Sequence, residues 1–542
     1  MDVARGSTAT LRPDQPAGSS AHRGPPKPPK PPDPPQASAP PGADDAQYQI
    51  STAHRWAILS MIVLASTAFV ATILISTALL PQMQGALSAT QDEVAWVMTF
   101  NIVATAVATP MTGWLVARFG RRGTMVWCVA AFAVSTLMCG AADSLETLVF
   151  WRIVQGAAGA PIIPLGQTLL FDAFPRRQHG LVIAIYGMSN MVGPVLGPTL
   201  GGYIAEAFGW RWGFYMVVPV ALIAVIGLRA AIPPDTDRER VGLDWIGFIA
   251  LSVSIAATQL VFSRGQRLDW FQSTEIVIET VLAILAFYIF LAHALTYRAP
   301  FLTLSLLRDR NFSLGLVLVS IFGMLNFAPM VLLPPLLQQH VGYPDSLIGE
   351  VVGWRGAGAA LGFFIAMWVT WIDPRVQMLA GALIQTASGY WMLTLSLDMT
   401  PEILIANSLM QGVAVGCMWV PMTVVTFATL APKFRPEAMA TFHLLRNMGS
   451  SLFISIAVAE IVRTTSLNYA RLSEAVSPFN TVLSMPWAVG AYNFESAAGL
   501  ASFAREINRQ AAMIGYVNAF VLYTVISAAS IPLILLMQRP KQ

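Results

Sequence analysis

The sequence is poor in charged residues. Only 11% of its 542 residues are charged and 55% are hydrophobic, whereas soluble proteins average roughly 25% charged residues. No group of side chains has metal-ligand spacing, no glycine-rich loop is suited to phosphate, and no nucleophile stands beside a base. These absences exclude the common enzyme classes and predict neither a metal nor an organic cofactor. A net charge of +3 is also too small to indicate nucleic acid as a partner.

Cysteine is scarce as well. The chain has 3 cysteines, Cys128, Cys139 and Cys417, and all of them lie in apolar runs. The first two are separated along one predicted helix by roughly 16 Å at about 1.5 Å per residue, which is too far for a disulfide. We interpret the cysteines as small core residues.

Long hydrophobic runs, in contrast, recur along most of the chain. A window of about 20 residues, the length that crosses a bilayer, gives fourteen predicted spans. They begin near Trp56, Val94, Thr124, Thr147, Leu181, Gly213, Trp245, Glu275, Phe312, Ser346, Gln377, Pro401, Ala438 and Ala512. The sequence therefore indicates an all-α membrane protein in a lipid bilayer, and an even number of spans places both termini on one side.

The charge of the loops predicts which side that is. Fourteen basic residues lie in one set of short loops, whereas the opposite short loops hold three, Arg211, Arg264 and Arg267. Since cytoplasmic loops carry the excess of lysine and arginine, the first set and both termini are predicted to be cytoplasmic. The expected location is the inner membrane, with many passes.

Residues 1–53 contain many prolines and few apolar side chains. A segment that cannot bury apolar surface stays disordered, and the proline run from Pro25 to Pro35 favours a polyproline conformation. We predict a disordered, proline-rich cytoplasmic tail. Its PxxP spacing would also suit a docking ligand, although a solvated tail is the simpler interpretation.

One span, between Val192 and Tyr203, has an unusual pattern of glycine and proline. Glycines at i, i+4 and i+8 form a groove in which a neighbouring backbone can pack, and each proline frees a carbonyl that protein or water must cover. An ordinary glycine packing face is the alternative interpretation. The residues of this motif are Gly193, Pro194, Gly197, Pro198, Gly201 and Gly202. The motif resembles the antiporter signature on the fifth helix of the major facilitator superfamily.

The loop between predicted spans two and three is similar to the cytoplasmic loop motif of the same superfamily. Its glycines permit a tight turn, and its arginines can bond helix C-terminal carbonyls or an acidic partner on another helix. The motif comprises Gly113, Arg118, Gly120, Arg121 and Arg122. Ala117 stands where the superfamily usually has an acidic residue, so a latch through that carboxylate is not predicted. Arginines that only orient the helices are the alternative.

Arg152 lies in the middle of predicted span four and is followed by Gln155 and Gly156. Placing an arginine at the centre of a bilayer costs about 3 kcal/mol even on the lenient insertion scale. The segment resembles the superfamily motif in which an embedded arginine takes part in proton transfer. A structural arginine bonded to carbonyl groups is the alternative interpretation.

Segments of the second half resemble those of fourteen-helix drug:proton antiporters of the EmrB/QacA type. Arg355 lies near the start of span ten in Gly-Trp-Arg-Gly, Asp373 and Pro374 follow that span, and Arg446 lies in span thirteen in Arg-Asn-Met-Gly. The resemblance covers about residues 56–537 and implies the major facilitator fold, with fourteen transmembrane helices in two six-helix bundles plus two inserted linker helices. It also implies alternating access, in which one bundle rocks against the other about a site near the midplane.

The resemblance divides the chain as follows. The tail at 1–53 precedes a first six-helix bundle at 54–232, two inserted helices at 233–296, a second six-helix bundle at 297–537 with a long periplasmic loop at 463–511, and a cytoplasmic tail at 538–542. The implied cavity between the bundles has an apolar wall with few polar points, which suits hydrophobic or amphipathic molecules. The predicted lining residues are Thr72, Trp96, Asn101, Gln155, Asn190, Asn326 and Gln411. Each of them could instead be a hydrogen-bond partner between helices.

The first span departs from the family pattern. EmrB-like proteins carry an aspartate in this helix, where the present chain has Thr72, and no carboxylate lies between Trp56 and Pro81. A hydroxyl does not titrate near neutral pH. Glu350, one helical turn from Arg355, is predicted to substitute, with a permanently ionised interfacial glutamate as the alternative. The candidate proton-coupling residues are Arg152, Glu350, Arg355 and Arg446.

Together these features predict a secondary transporter that exports hydrophobic or amphipathic compounds in exchange for protons, as in multidrug efflux and antibiotic resistance. No residue is predicted to be catalytic. The resemblance further implies a periplasmic membrane-fusion adaptor and an outer-membrane channel as partners. A facilitator, an importer and a transporter-like sensor of the same fold, without proton coupling, stay open as alternatives, and a membrane enzyme would need a polar catalytic cluster at one membrane face.

Overall fold

The computed structural model describes residues 51–538, apart from 235–241, 299, 370–371, 478, 481–482 and 484–495. Inside some helices only the backbone is described, as for most of the segment 192–202. The tail predicted at 1–53 therefore lies almost entirely outside the described residues, and so does the tail predicted at 538–542.

The described part of the chain is helical and contains no β-strand. Its α-helices, in chain order, are α1 (Thr52–Ala86), α2 (Gln91–Ala108), α3 (Thr112–Phe119), α4 (Arg121–Gly140), α5 (Leu145–Gly159), α6 (Ile162–Ala173), α7 (His179–Phe208), α8 (Arg211–Tyr215), α9 (Val217–Ala231), α10 (Trp245–Arg264), α11 (Thr274–Thr296), α12 (Arg310–Pro335), α13 (Asp345–Trp368), α14 (Pro374–Met392), α15 (Pro401–Phe427), α16 (Arg435–Glu474) and α17 (Ala497–Leu535).

Twelve helical segments of the described residues are long and apolar enough to cross a membrane. Eleven of them begin within six residues of a predicted span, whereas the last begins at Ala497, 15 residues before the span predicted near Ala512. The two predicted spans that are not among the twelve correspond to α7 and α14. The membrane-spanning character of the chain is thus confirmed, whereas the number of fourteen spans stays a prediction.

Prolines divide two of the spans into pairs of helices. Pro110 lies in a short 3₁₀ turn between α2 and α3, and Pro161 lies between α5 and α6. Proline lacks the backbone N–H that would continue the hydrogen-bond ladder of an α-helix. The connection predicted at 463–511 is helical at both ends, because α16 continues to Glu474 and α17 begins at Ala497. Ser496 caps α17 by accepting a hydrogen bond from the Gly499 backbone N–H at 3.0 Å.

The helices pack in the same order in the two halves of the chain. In the first half α1 packs on α7, α2 on α5, and α4 on α9; in the second half α12 packs on α16, α13 on α15, and α14 on α17. In each half these pairs join the first helix to the fifth, the second to the fourth and the third to the sixth, with α3, α6 and α8 continuing their neighbours. The two halves therefore share one packing pattern, and α10 and α11 lie outside it. The bundle boundaries predicted from the sequence stay a prediction.

The contact between α13 and α15 depends on four glycines that the sequence analysis did not single out. Gly358 and Gly362 on α13 face Gly412 and Gly416 on α15, each pair four residues apart on its helix. A Cβ at Gly416 would lie 2.7 Å from the Gly362 Cα, which is closer than atoms can approach. The two backbones touch without side chains between them, as in small-xxx-small interfaces of membrane helices.

The helices α10 and α11 pack on each other, and α10 lies against both halves. The Gln259 side-chain amide of α10 donates to Ser451 of α16 at 2.8 Å, and Ser263 of α10 lies 3.4 Å from the Thr99 hydroxyl of α2. At the other end of α10, Asp244 accepts a hydrogen bond from His293 of α11 at 2.9 Å. Helix α10 therefore covers one edge of the seam between α2 and α16.

Candidate transport site

Arg152 is fully buried, with 0% of its surface exposed. Its guanidinium donates to the Gln155 side-chain oxygen at 2.5 Å and to the Val97 carbonyl of α2 at 3.2 Å. The same group lies 5.9 Å from the centre of the Phe214 ring. Among the described residues no carboxylate lies within 4.0 Å of this cation, so neutral dipoles and a π-face satisfy it.

Neutral side chains hold this arrangement in place. The Gln155 amide donates to the Thr136 hydroxyl at 2.7 Å, and the Asn101 amide donates to the Arg152 carbonyl at 2.7 Å. The Thr105 hydroxyl donates to the Asn101 carbonyl at 2.8 Å. Two of the predicted lining residues, Asn101 and Gln155, thus position Arg152 between α2 and α5.

Arg355 of α13 is a buried cation in the second half. It donates to the Asn326 carbonyl of α12 at 2.6 Å and to the Gln411 side-chain oxygen of α15 at 3.2 Å. The Gln411 amide in turn donates to the Asn407 side-chain oxygen at 2.7 Å. Since α2–α5 and α13–α15 are equivalent pairs, each half buries an arginine in the same helix pair, although Arg152 lies on α5 and Arg355 on α13, the opposite member of the pair.

Arg355 also lines a small cavity between the halves. Met191 of α7 forms one wall, and Asn326, Met330 and Val415 contribute from the second half. A second small cavity, lined by residues of the second half, lies beside Asn326 and is otherwise mainly apolar. The predicted lining residue Asn326 therefore borders both cavities. The cavity between the halves is apolar apart from the Arg355 guanidinium and the Asn326 amide.

Arg446 of α16 has a different environment. Its guanidinium lies 5.6 Å from the centre of the Trp419 ring and donates to the Asn447 side-chain oxygen at 3.1 Å. Asn190 of α7 has a buried side-chain oxygen without a hydrogen-bond partner among the described residues. Aromatic and amide groups thus face the seam near the cavity.

Three other predicted residues, Thr72, Trp96 and Glu350, are not among those that line the cavity between the halves. Thr72 is buried, but its hydroxyl donates to the Ala68 carbonyl of its own helix at 2.7 Å. Trp96 is 41% exposed. Glu350 is exposed and accepts a 3.4 Å hydrogen bond from Trp354. The structure does not join Glu350 to Arg355, although the two are one turn apart.

The glycine motif of α7 faces α1. A Cβ at Gly193 would lie 3.1 Å from the Ala71 backbone nitrogen, and one at Gly201 would lie 2.9 Å from a methyl group of Ile75. These two glycines are eight residues apart and share a face, as their spacing predicts. The other members of the motif, Pro194, Gly197, Pro198 and Gly202, lie on α7, but their surroundings are outside what the structure describes.

The arginine motif lies at the end of the molecule that carries the basic loops, here called the basic face, defined by the segments 118–122, 175–178 and 432–435. Gly120 has φ of +81°, which favours glycine and turns the chain from α3 into α4. Arg118 is exposed, and Arg122 donates to the Arg229 carbonyl at 2.5 Å. The motif thus stabilises helix ends on this face.

Asp172 joins the two halves at the basic face. Located at the end of α6, it forms an ion pair with Arg121 of α4 and a second one with Arg435 of α16, whose nitrogen lies 3.0 Å from its carboxylate. The sequence analysis missed Asp172, because an aspartate at the end of a predicted span is unremarkable until its partners are known. We call this three-residue cluster the basic-face latch.

Glu437 lies next to the latch, in the first turn of α16. A Cβ at Gly113 would lie 3.0 Å from the Glu437 Cβ, so the loop motif packs directly against this glutamate. Its carboxylate accepts hydrogen bonds from the backbone N–H and the hydroxyl of Thr303, the latter at 3.1 Å. A carboxylate in a first helical turn is also favoured by the helix dipole. Position 117 carries alanine instead of an acidic residue, and Glu437 places a carboxylate on the helix that packs against the same loop motif.

Comparison with known proteins agrees with this geometry. Residues 60–332 match the family described as Major Facilitator Superfamily. The chain is 32% identical to the multidrug export protein EmrB of Escherichia coli (strain K12) over 416 residues, covering 75% of this chain and 80% of that protein. It is 29% identical to the fatty acid resistance protein FarB of Neisseria gonorrhoeae, covering 86% of this chain and 92% of that protein.

Solved structures show the same fold. The proton:xylose symporter XylE superposes with a TM-score of 0.57 at 13% identity, over 89% of this chain and 97% of that one. The human organic anion transporter MFSD10 superposes with a TM-score of 0.55 at 14% identity, over 87% of this chain and 99% of that one. The chain belongs to the major facilitator superfamily, in its EmrB-like family of drug:proton antiporters, and is a multi-pass inner-membrane transporter rather than an enzyme.

Proposed function

We propose that the protein exports hydrophobic or amphipathic compounds across the inner membrane by proton antiport with alternating access. The observation that carries this proposal is the pair of buried arginines, Arg152 and Arg355, in equivalent helix pairs on either side of the seam. Each is held by neutral groups. A cation without a counter-ion disfavours a second positive charge nearby. When the two halves move, the distance between each arginine and a proton bound between the halves changes, and the affinity for that proton changes with it.

The lining of the seam favours the substrate class. Met191 and Met330 supply flexible apolar surface, and Asn326 and Arg355 supply polar points in the same cavity. Such a wall suits an amphipathic molecule whose head group accepts hydrogen bonds. The names of the relatives, multidrug export and fatty acid resistance proteins, agree with this class.

The topology and partners belong to the same proposal. Both termini are cytoplasmic, fourteen helices form two bundles with α10 and α11 inserted between them, and the basic face is the cytoplasmic one. The latch and the close contacts of α16 with α3 and α6 keep that face closed. A periplasmic adaptor of the membrane-fusion type and an outer-membrane channel complete the export route, as the family resemblance suggests.

Proteoliposomes loaded with a lipophilic fluorescent cation, or in parallel with a medium-chain fatty acid, test this function. We expect an imposed pH gradient to drive each probe uphill, and a protonophore to abolish the gradient-driven part. Release that follows only the probe's own gradient, unaffected by pH, would contradict antiport.

One observation favours a second candidate function, a facilitator or exchanger without proton coupling. Helix α1 has no carboxylate between Trp56 and Pro81, and the Thr72 hydroxyl is used within its own helix. The same proteoliposomes separate the two functions, because a facilitator equilibrates the probe and exchanges it but never concentrates it.

The latch gives a prediction about the conformational equilibrium. We expect Asp172→Asn to favour opening at the basic face, because Arg121 and Arg435 lose their shared anion. A charge-assisted hydrogen bond is worth about 1.5–3 kcal/mol, which corresponds to roughly a tenfold or larger shift in population. In a background without the native cysteines, Met191→Cys should react faster with an impermeant thiol reagent applied from the basic face.

The matched control is Asp143→Asn. Asp143 pairs with Arg211 at 3.3 Å within the first half and is largely exposed, and exposed ion pairs contribute little. Equal labelling of Met191→Cys in both variants and in the parent would show that Asp172 does not hold the face closed.

A further inference from the structure

A second polar contact joins the two halves near the latch. The His443 ring nitrogen Nε2 of α16 lies 2.8 Å from the Gln167 side-chain oxygen of α6, and the two residues are 276 positions apart. Both are buried, with 3% of His443 and 0% of Gln167 exposed. This hydrogen bond therefore belongs to the interface that must separate when the basic face opens.

The chemistry of the pair leaves one basic atom free. An amide oxygen only accepts, so Nε2 of His443 donates its hydrogen, and Nδ1 keeps its lone pair. Among the described residues, neither His443 Nδ1 nor the Gln167 amide nitrogen has a hydrogen-bond partner. Most buried polar atoms in proteins have a hydrogen-bond partner. The unpaired Nδ1 of His443 departs from this rule, and its lone pair can bind a proton.

The surroundings disfavour a permanent positive charge at this site. The Trp419 and Phe442 rings lie 5.9 Å and 5.8 Å from the His443 ring. Arg446 lies one turn further along α16. A proton on Nδ1 would thus place a second cation near Arg446 in an apolar seam.

Other ionisable groups on the neighbouring helices are distant or already paired. In α6, Asp172 is five residues from Gln167, about 7.5 Å along the helix, and binds Arg121 and Arg435. Tyr186 of α7 donates to the Ile163 carbonyl, and Tyr523 of α17 accepts from Gln385. The remaining described charged side chains of the helices packed against α16 lie in a first or last helical turn or in the first third of α17. They are Glu93 in α2, Arg118 in α3, Arg264 in α10, Arg310 in α12, and Arg505, Glu506 and Arg509 in α17.

We propose that His443 is the residue that binds the transported proton, at Nδ1, and that Gln167 senses its charge across the seam. The inference rests on the proposed antiport. While the basic face is closed, Nδ1 takes a proton that arrives from the opposite side. The imidazolium and Arg446 then repel each other, the α6–α16 contact loosens, and water at the opened basic face accepts the proton from Nδ1.

His443→Gln tests the proposal, because glutamine keeps a donor toward Gln167 but does not titrate. In proteoliposomes we expect uphill transport driven by the pH gradient to fall to the level seen without a gradient, while downhill exchange of the lipophilic cation persists. His293→Gln is the matched control, since His293 bonds Asp244 at the edge of the inserted pair, away from this contact.

The outcomes separate the two proposals. If the parent protein shows no gradient-driven transport, the proposed antiport is wrong. If the parent concentrates the probe and His443→Gln does so equally well, antiport stands and the role of His443 is wrong.

Gln167→Glu provides a second measurement that does not depend on the folding of the first variant. A carboxylate next to the imidazole stabilises its protonated form, so the pH of half-maximal transport should rise by about one unit or more. A purely structural contact would alter protein stability but leave that pH unchanged, and an unchanged midpoint in a folded, active variant would overturn the inference.

Discussion

Replacing Arg152 with alanine is expected to abolish proton-driven efflux while the protein still binds substrate. The guanidinium donates to Gln155 and to the Val97 carbonyl in a fully buried position, and nothing else among the described residues supplies a charge there. Losing one charge-assisted hydrogen bond costs about 1.5–3 kcal/mol, so uphill transport should fall at least about tenfold. Binding should persist, because the cavity between the halves is lined by Met191 and Asn326 rather than Arg152.

Two further variants serve as comparisons for Arg152→Ala, a conservative replacement at the same position and a control arginine elsewhere in the same half. Arg152→Lys keeps a positive charge but loses the planar fork that reaches two acceptors, and we expect partial coupling. Arg211→Ala removes an arginine of the same half that is paired with an exposed aspartate, and it should transport normally. Gradient-driven efflux at the parent rate by Arg152→Ala, measured in proteoliposomes beside a binding titration, would mean that this arginine only packs the helices.

Gly358→Leu is expected to destabilise the second half strongly. A Cβ at this position would lie 3.0 Å from the Leu409 Cα of α15 and closer still to the Leu409 carbonyl, so the backbones of α13 and α15 must separate. Overpacking costs about 1–3 kcal/mol where side chains can adjust. Since the obstacle here is backbone, we expect the upper end of that range or more, seen as loss of the monodisperse peak in detergent and a lower unfolding temperature.

Gly353→Leu on the same helix is the matched control. No atom lies within 4 Å of a Cβ built at Gly353, and leucine has a higher helix propensity than glycine. We therefore expect this variant to be as stable as the parent. A Gly358→Leu protein with the same yield and unfolding temperature as Gly353→Leu would show that the two backbones are not in contact.

The sequence predicted the family and the membrane-spanning character of the chain correctly. Hydropathy is reliable for this purpose because a lipid bilayer demands long apolar helices whose backbone groups are satisfied internally. The burial of Arg152 followed from the same constraint, since a charge in the middle of an apolar run has no route to water. The role of each candidate residue in transport, including Arg152 and Glu350, stays a prediction.

Spacing along one helix shows which residues share a face but not what that face meets. Glu350 and Arg355 are one turn apart, yet Arg355 binds Asn326 and Gln411 on other helices, and Glu350 is exposed. The aspartate of the latch, Asp172, was likewise missed, because its partners are 51 and 263 residues away.

By itself, the sequence determined where the helices are, which face carries the basic loops, and that an arginine must be satisfied inside the membrane. Only the tertiary structure decided which helices meet: the glycines of α13 against those of α15, and His443 against Gln167. The physical reason is that local periodicity and lipid solubility act within a single segment. Contacts between helices depend instead on how the side chains and backbones of both surfaces fit together.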